Sequence, residues 1–381
     1  VCSGSLSGMS AQGYQWLTPS LQAWLTASAQ SLNDDNTLAA QILPQLSAAG
    51  LTRIAVPREW GGSGGPRHHA VQAIAEVAEH SLTAAFVLWA QRAFIDYLCV
   101  TDNAAARQAW LTRALAGDTA GATGLSNAMK FLSRLEPLQV VEHLAEDGSR
   151  SVSGRLPWVT NLRAPDFVVA AAVQPADEAA QPLVVVLGSA EKGLTRSADL
   201  ELLALRGSNT AAIELSDVAV PPENLLAIDG LNFLKRARPM FLSLQCGMSL
   251  GLARTALRAA QQSGAAREVL RPRIDGAWQQ LQQLSQDLYQ GLDAGQFENE
   301  AAVLFRLRLQ LAALVQEAIQ LELQGSGGRA YLRSHLPDFG RRLQESAFIP
   351  VVTPSLTQLQ GELNQQAQIR ALANADAEVI A

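Results

Sequence analysis

The stretch Gly154-Arg155-Leu156-Pro157-Trp158-Val159-Thr160-Asn161 decides how the chain is read. It follows a short alternating run, Ser151 to Arg155, and precedes an apolar run, Phe167 to Val173, so it lies between two predicted strands. On residues alone Trp158 is either a core tryptophan on a β turn or one face of a flat apolar wall.

Outward from this stretch the short-period pattern continues. Leu138 to Glu142, Pro182 to Leu187 and Ala211 to Leu215 are further short apolar or alternating runs, and Glu146-Asp147-Gly148-Ser149 is a hairpin turn between the first two strands. Pro221-Pro222-Glu223-Asn224 closes this β region at about residue 228. On the N-terminal side the period is helical. Leu21, Trp24 and Leu25, then Leu38, Ile42, Leu46 and Ala49, fall on helical faces, and Gly50 caps the second of them. A loop, Gly61-Gly62-Ser63-Gly64-Gly65-Pro66, is followed by predicted helices over Arg67 to Glu79, Leu82 to Val100 and Asn103 to Ala116. Beyond Leu231 helices are expected over 231–263, 272–292 and 299–324. The last is apolar on most sides, with Leu304, Phe305, Leu309, Leu311, Leu314, Ile319 and Leu323, and its arginines and glutamates are expected to face water. The expected division is an N-terminal extension over 1–13, a helical domain over 14–117, a middle β domain over 118–228 and a helical bundle over 229–381. Met9 is the expected native start.

Composition narrows the function classes. The 381 residues are 48% hydrophobic and only 17% charged, against roughly 25% charged in an average soluble domain, which excludes intrinsic disorder. The net charge of −6, with no basic stripe, argues against a nucleic-acid partner. Cys2, Cys99 and Cys246 are too few and too scattered for a disulfide framework or a zinc site, so no metal is expected and the expected compartment is the cytoplasm. Leu82 to Val100 is interrupted by Gln91, Arg92 and Asp96 and falls short of the roughly 20 apolar residues of a membrane span. It reads as a buried helix, on which Gln91 and Arg92 are candidates to line a substrate cavity.

The Gly154 to Asn161 segment resembles the acyl-CoA dehydrogenase pattern of a glycine, a basic residue, two spacers and Trp-(Ile/Val)-Thr-Asn. Other segments resemble the same family in the same order. Val56-Pro57-Arg58-Glu59-Trp60-Gly61-Gly62-Ser63-Gly64 matches its glycine-rich loop, Arg206-Gly207-Ser208-Asn209-Thr210 its Arg-Gly-Ser-x-Thr strand, and Gln324, Gly327 and Gly328 its Gln-x-x-Gly-Gly motif. The resemblance implies an α+β fold with an N-terminal all-α domain, a middle β-barrel domain and a C-terminal α-helical bundle. It implies FAD as cofactor, with FMN as the alternative. Trp158 is implied to pack on the isoalloxazine and the Thr160 hydroxyl to bond flavin N5; a flat apolar ring needs a flat wall, and N5 needs a hydrogen-bond partner. Gln324, Gly327 and Gly328 are implied to reach the cofactor of a neighbouring subunit, which makes a homodimer or homotetramer the expected assembly.

The departures fall on the parts that define the family's reaction. Where the family carries a glutamate that removes the α-proton of an acyl thioester, this chain reads Phe348-Ile349-Pro350-Val351-Val352-Thr353-Pro354-Ser355, and the position falls on Thr353 or Pro354. The alternative base position lies within Lys235-Arg236-Ala237-Arg238-Pro239, also without a carboxylate. Losing a general base costs roughly two to four orders of magnitude in rate. Leu125-Ser126-Asn127-Ala128-Met129-Lys130 replaces Thr-Glu-Pro and the CoA-contacting Gly-Ser-Asp, with Ser126 able to keep a hydroxyl toward the flavin. Arg267-Glu268-Val269-Leu270 is all that stands for Arg-x-x-Phe-Gly, leaving Arg267, Arg271 or Arg273 to meet a phosphate. His68, His69, His80, His143 and His335 read as structural or solvated. The expected function is therefore a flavin-dependent oxidoreductase of this superfamily acting on an unidentified small-molecule substrate that is not a conventional acyl-CoA, with an electron acceptor or flavin reductase as unidentified partner. The alternatives are a reduced-flavin-dependent monooxygenase of a small sulfur or nitrogen compound and a catalytically inactive flavin-binding paralogue.

Overall fold

The computed structural model describes residues 15–125, 128, 137–177, 179–263, 267–332 and 337–380. The expected 1–13 extension lies outside the described residues. Helix α1 (Pro19–Asp34) begins with Pro19 behind Thr18, whose side chain accepts from Leu21 N at 3.2 Å, and it buries Leu21, Leu25 and Leu32 along one face. After α2 (Ala39–Ala48), Gly50 turns the chain at φ +80°, and a loop leads to α3 (His68–His80). Ser81 caps α4 (Leu82–Val100) through Ala84 N, and Asn103 caps α5 (Ala104–Ala116) through Ala105 N and Ala106 N. Helix α4 is buried on nearly all sides, as a helix surrounded by other elements must be.

The middle region holds β1 (Ala120–Thr123), β2 (Val140–Leu144), β3 (Arg150–Val159), β4 (Phe167–Val173), β5 (Leu183–Gly188), β6 (Leu194–Arg196), β7 (Ala211–Ala219) and β8 (Leu225–Ala227). They form two four-stranded sheets, ordered β1-β4-β5-β8 and β2-β3-β7-β6. The two meet at Gln174, whose N donates to Val140 O at 2.8 Å and whose O accepts from Glu142 N at 2.8 Å. The barrel implied by the family resemblance is thus corrected. The described strands make two open sheets joined at this bridge, and β4 and β5, buried along their whole length, form the interior of one of them.

The C-terminal part is a bundle of α6 (Gly230–Gln262), α7 (Arg267–Asp293), α8 (Ala301–Ser326), α9 (Pro337–Phe348) and α10 (Leu356–Ile380). Glycines let α6 approach α3 closely: a Cβ on Gly251 would stand 2.1 Å from Ala75 O, and one on Gly247 2.8 Å from Val71 O. The expected water-facing charges of α8 are corrected at two positions. Arg308 and Glu322 are buried, Glu322 in a bidentate ion pair with Arg342 of α9 and Arg308 against a backbone carbonyl.

Gly154 sits in an irregular part of the β3 pairing with β7, at φ +141°, where a Cβ would lie 2.1 Å from Gln139 O. Gly154→Ala is expected to lower stability by about 3 kcal/mol through backbone strain and that clash, read as a shift of the urea midpoint with unchanged slope.

Candidate functional site

Strand β3 delivers Trp158 to the surface, where its side chain is 64% exposed, while Thr160 and Asn161 turn inward. Asn161 adopts φ +66°, a left-handed conformation that asparagine tolerates better than most residues. Its N donates to Ser208 O and Leu162 N to Asn209 O, both at 3.0 Å. Thr160 Oγ1 lies 3.0 Å from Thr210 Oγ1, which lies 2.7 Å from Ser208 Oγ. The two stretches that resemble family motifs, 154–161 and 206–210, are therefore one body in space. The second is shaped to close on α1. Leu205 and Asn209 both have positive φ, a Cβ on Gly207 would meet Leu32 O at 2.8 Å, and Leu205 N donates to Asn33 Oδ1 at 3.2 Å.

Gln91 completes this body from α4. Its Nε2 donates to Ala114 O at 2.8 Å and Thr119 O at 3.1 Å, while its Oε1 accepts from Gly121 N at 2.7 Å and Asn161 Nδ2 at 2.9 Å. Asn161 Nδ2 also donates to Gly121 O at 2.9 Å. With both donors and both lone pairs used inside the protein, Gln91 has nothing left for a substrate. The expectation that it lines a cavity is corrected: it is a brace between α4, β1 and the Thr160 turn. Arg92 is engaged in part: its Nη1 donates to Thr52 O at 2.5 Å in the loop before α3, while its buried Nε has no hydrogen-bond partner among the described residues. One turn on, burial pushes the Asp96 carboxyl up to about 6, against the pull of Arg67 and Arg92.

The remaining candidates lie elsewhere. Gln324 is exposed at the end of α8 and accepts from Arg273 Nη1 at 3.1 Å; Arg273 also pairs with Glu317 at 2.6 Å. Gly327, at φ +60°, and Gly328 follow with no atom within 4 Å of where a Cβ would stand, an approach open to a ligand or another chain. Arg267 opens α7, but its side chain, like the whole of Ser126 and His335, lies outside the described residues. His68 is tied to Asp293, 2.5 Å from Nδ1, and His80 Nδ1 is 2.9 Å from Thr26 Oγ1, so each ring has a protein partner. Among the described residues no cluster of metal-ligating side chains occurs, and no helix is long and apolar enough to cross a membrane.

Thr353 and Pro354 sit in the turn between α9 and α10, and two side chains that sequence reasoning missed hold this turn. Gln245 Nε2 of α6 donates to Thr353 O and Arg308 Nη2 of α8 donates to Val352 O, both at 2.9 Å. Both side chains are nearly fully buried, and burial pushes the Arg308 guanidinium down to about 10. The signal for Arg308 was its place between Leu307 and Leu309 in a helix that is apolar on most sides. The acidic residues on either side of the turn are engaged. Glu345 Oε1 accepts from Leu82 N at 3.1 Å and lies 3.5 Å from Arg341 Nε, its carboxyl raised by burial, and Glu362 lies 3.7 Å from Arg238 Nη1.

Residues 21–118 match the family model of the acyl-CoA dehydrogenase N-terminal domain. The probable acyl-CoA dehydrogenase YngJ of Bacillus subtilis (strain 168) is 28% identical over 196 residues, 49% of this chain and 49% of that protein. The chain's match spans about half the length of the curated relatives. Three solved structures share the fold. They are butyryl-CoA dehydrogenase from Megasphaera elsdenii (TM-score 0.71, 19% identity, 93% of this chain and 100% of that one), PigA with FAD and proline (0.72, 15%, 93% and 99%) and dibenzothiophene monooxygenase from Paenibacillus sp. A11-2 (0.70, 17%, 90% and 93%). These findings support membership of the acyl-CoA dehydrogenase superfamily: the family model covers residues 21–118, and the fold is shared along most of the chain.

Gln91→Leu strands the Gly121 and Asn161 donors and is expected to cost about 3–5 kcal/mol in chemical unfolding. Asp96 has a raised folded-state pKa, so its contribution is fully present below its unfolded value of roughly 4 and is lost as pH rises through about 6. Asp96→Asn, neutral throughout, should therefore gain thermal stability relative to the parent between pH 4.5 and 7.5; a pH-independent difference would contradict this.

Proposed function

We propose that this superfamily member is a flavin-dependent oxidoreductase whose substrate is not a conventional acyl-CoA. The observation that carries the reading is the Val352-Thr353-Pro354 turn. It presents no carboxylate, its Val352 and Thr353 carbonyls accept from Arg308 and Gln245, and Glu345 and Glu362 on either side are engaged in ion pairs. An α-proton of a thioester would find no ready base there.

The residues present fit a flavin. An exposed indole at Trp158 offers a flat apolar face, and the hydroxyl of Thr160, two residues on, has one partner among the described residues, Thr210, leaving bonding capacity. In this reading Trp158 packs on the ring system, Thr160 holds its N5 edge, and Gln324, Gly327 and Gly328 meet the cofactor of a second copy in a homodimer or homotetramer. Bound FAD, or FMN, supplies two-electron redox chemistry. The chain's share is to orient the ring and exclude water. A reduced-flavin-dependent monooxygenase of a small sulfur or nitrogen compound is the second reading, because such a reaction needs no carboxylate base and the fold is shared with a dibenzothiophene monooxygenase. A catalytically inactive flavin-binding paralogue is the third outcome.

Reconstitution with FAD and FMN, followed by anaerobic titration with a panel of acyl-CoAs, tests the proposal. Flavin is expected to bind and no acyl-CoA to bleach it; bleaching overturns the reading. Oxygen uptake with externally reduced flavin and a sulfur- or amine-bearing substrate distinguishes the monooxygenase from the inactive paralogue. Trp158→Ala is expected to weaken flavin retention roughly tenfold, the value of one lost aromatic stack, and unchanged retention would remove the wall from the site.

A further inference from the structure

The hydroxyls of Thr160, Thr210 and Ser208 form a buried chain, with Oγ separations of 3.0 Å and 2.7 Å. Among the described residues the Ser208 hydroxyl has no partner other than Thr210, and the Thr160 hydroxyl has no other either. Each hydroxyl carries one proton to give and lone pairs to receive. With the chain running outward, Ser208 donates to Thr210, Thr210 donates to Thr160, and the Thr160 proton is left for whatever lies beyond. Running inward, Thr160 donates to Thr210 and Thr210 to Ser208, and the Ser208 proton is stranded in the interior. A stranded buried donor bears the full desolvation penalty, so the outward direction is favoured.

We propose that Thr210 is a positioning residue that fixes the Thr160 hydroxyl as an outward hydrogen-bond donor and so biases the site toward oxidised flavin. The inference rests on the flavin wall proposed above. Oxidised flavin presents a lone pair at N5, which an outward donor satisfies, whereas fully reduced flavin carries N–H there and needs an acceptor. A partner locked as donor binds the oxidised form preferentially and lowers the reduction potential of the bound flavin. Without the Thr210 hydroxyl, Thr160 is free to rotate and to accept.

The test measures the affinity of the apoprotein for oxidised FAD and the midpoint potential of the bound flavin. The variants are Thr210→Val, Thr210→Ala, Thr210→Ser, Ser208→Ala and Thr160→Val, each checked for native thermal unfolding. Thr210→Val is expected to shift the oxidised-to-reduced affinity ratio about tenfold toward the reduced form, raising the midpoint by about 30 mV for a two-electron couple. Thr210→Ala reads the same loss should the valine methyls not fit, and Thr210→Ser should restore the parent value. Ser208→Ala should stay near the parent, since Thr210 still donates to Thr160. A midpoint unmoved by both Thr210→Val and Thr210→Ala, but moved by Thr160→Val, overturns this inference while sparing the flavin wall. Flavin affinity and midpoint both insensitive to Thr160→Val overturn the placement of Thr160, and with it this inference.

Discussion

Four hydrogen bonds converge on the Gln91 carboxamide in a region closed to water, and the geometry of the candidate site depends on them. Helix α4 is otherwise apolar on most sides, and apolar packing alone leaves a helix with many nearly equal rotations and translations. A buried amide that needs every partner removes that freedom, because any shift strands polar groups that cannot reach solvent. Gln91 thereby sets α4 against the end of α5, the edge strand β1 and Asn161. Asn161 in turn fixes the exit of β3 at a positive φ, and this exit sends Trp158 outward and Thr160 inward. The loop over 206–210 then closes on the same turn through Ser208 O and Asn209 O and is pinned to α1 by Asn33. One neutral side chain in the helical layer thus positions two separate loops of the β region.

That hub also marks the limit of what could be read from the residues. The bounds of α4 were legible, since Ser81 supplies a cap and the apolar run has helical length. Strand β4 and the hairpin between β2 and β3 were legible for local reasons as well, namely an apolar run and an Asp-Gly turn, whereas β3 continues past its expected end at Arg155 to Val159 and takes in Trp158, which is expected between strands. Gln91 was legible only as an interruption. Whether a buried amide serves a ligand or the backbone depends on carbonyls that come from Ala114 and Thr119, more than twenty residues away, and no local pattern carries that information. Strand β1 was missed for a related reason. Ala120-Gly121-Ala122-Thr123 has little strand propensity, and its extension is imposed by parallel pairing to β4, with Gly121 required because a Cβ would stand 2.5 Å from the Phe94 ring.

The absence of a carboxylate at Thr353 and Pro354 was visible in the sequence, but the character of the turn was not. A substitution at one residue, with its surroundings otherwise suited to a base, would leave a neutral gap. Here the surroundings are not of that kind. Arg308 is a buried cation with no carboxylate partner among the described residues, and it lies against Val352 O, next to the position in question. A carboxylate installed at Thr353 or Pro354 would stand close to that guanidinium, which favours the ionised form and weakens it as a proton acceptor. Gln245 adds a second constraint by drawing the Thr353 carbonyl toward α6. The turn is held by one neutral and one cationic donor, Gln245 and Arg308. In the proposed reading, chemistry at the Trp158 face draws on hydroxyls and backbone for its hydrogen bonds. The inward-facing groups beside that face, Thr160, Thr210 and Ser208, are of this neutral, reorientable kind.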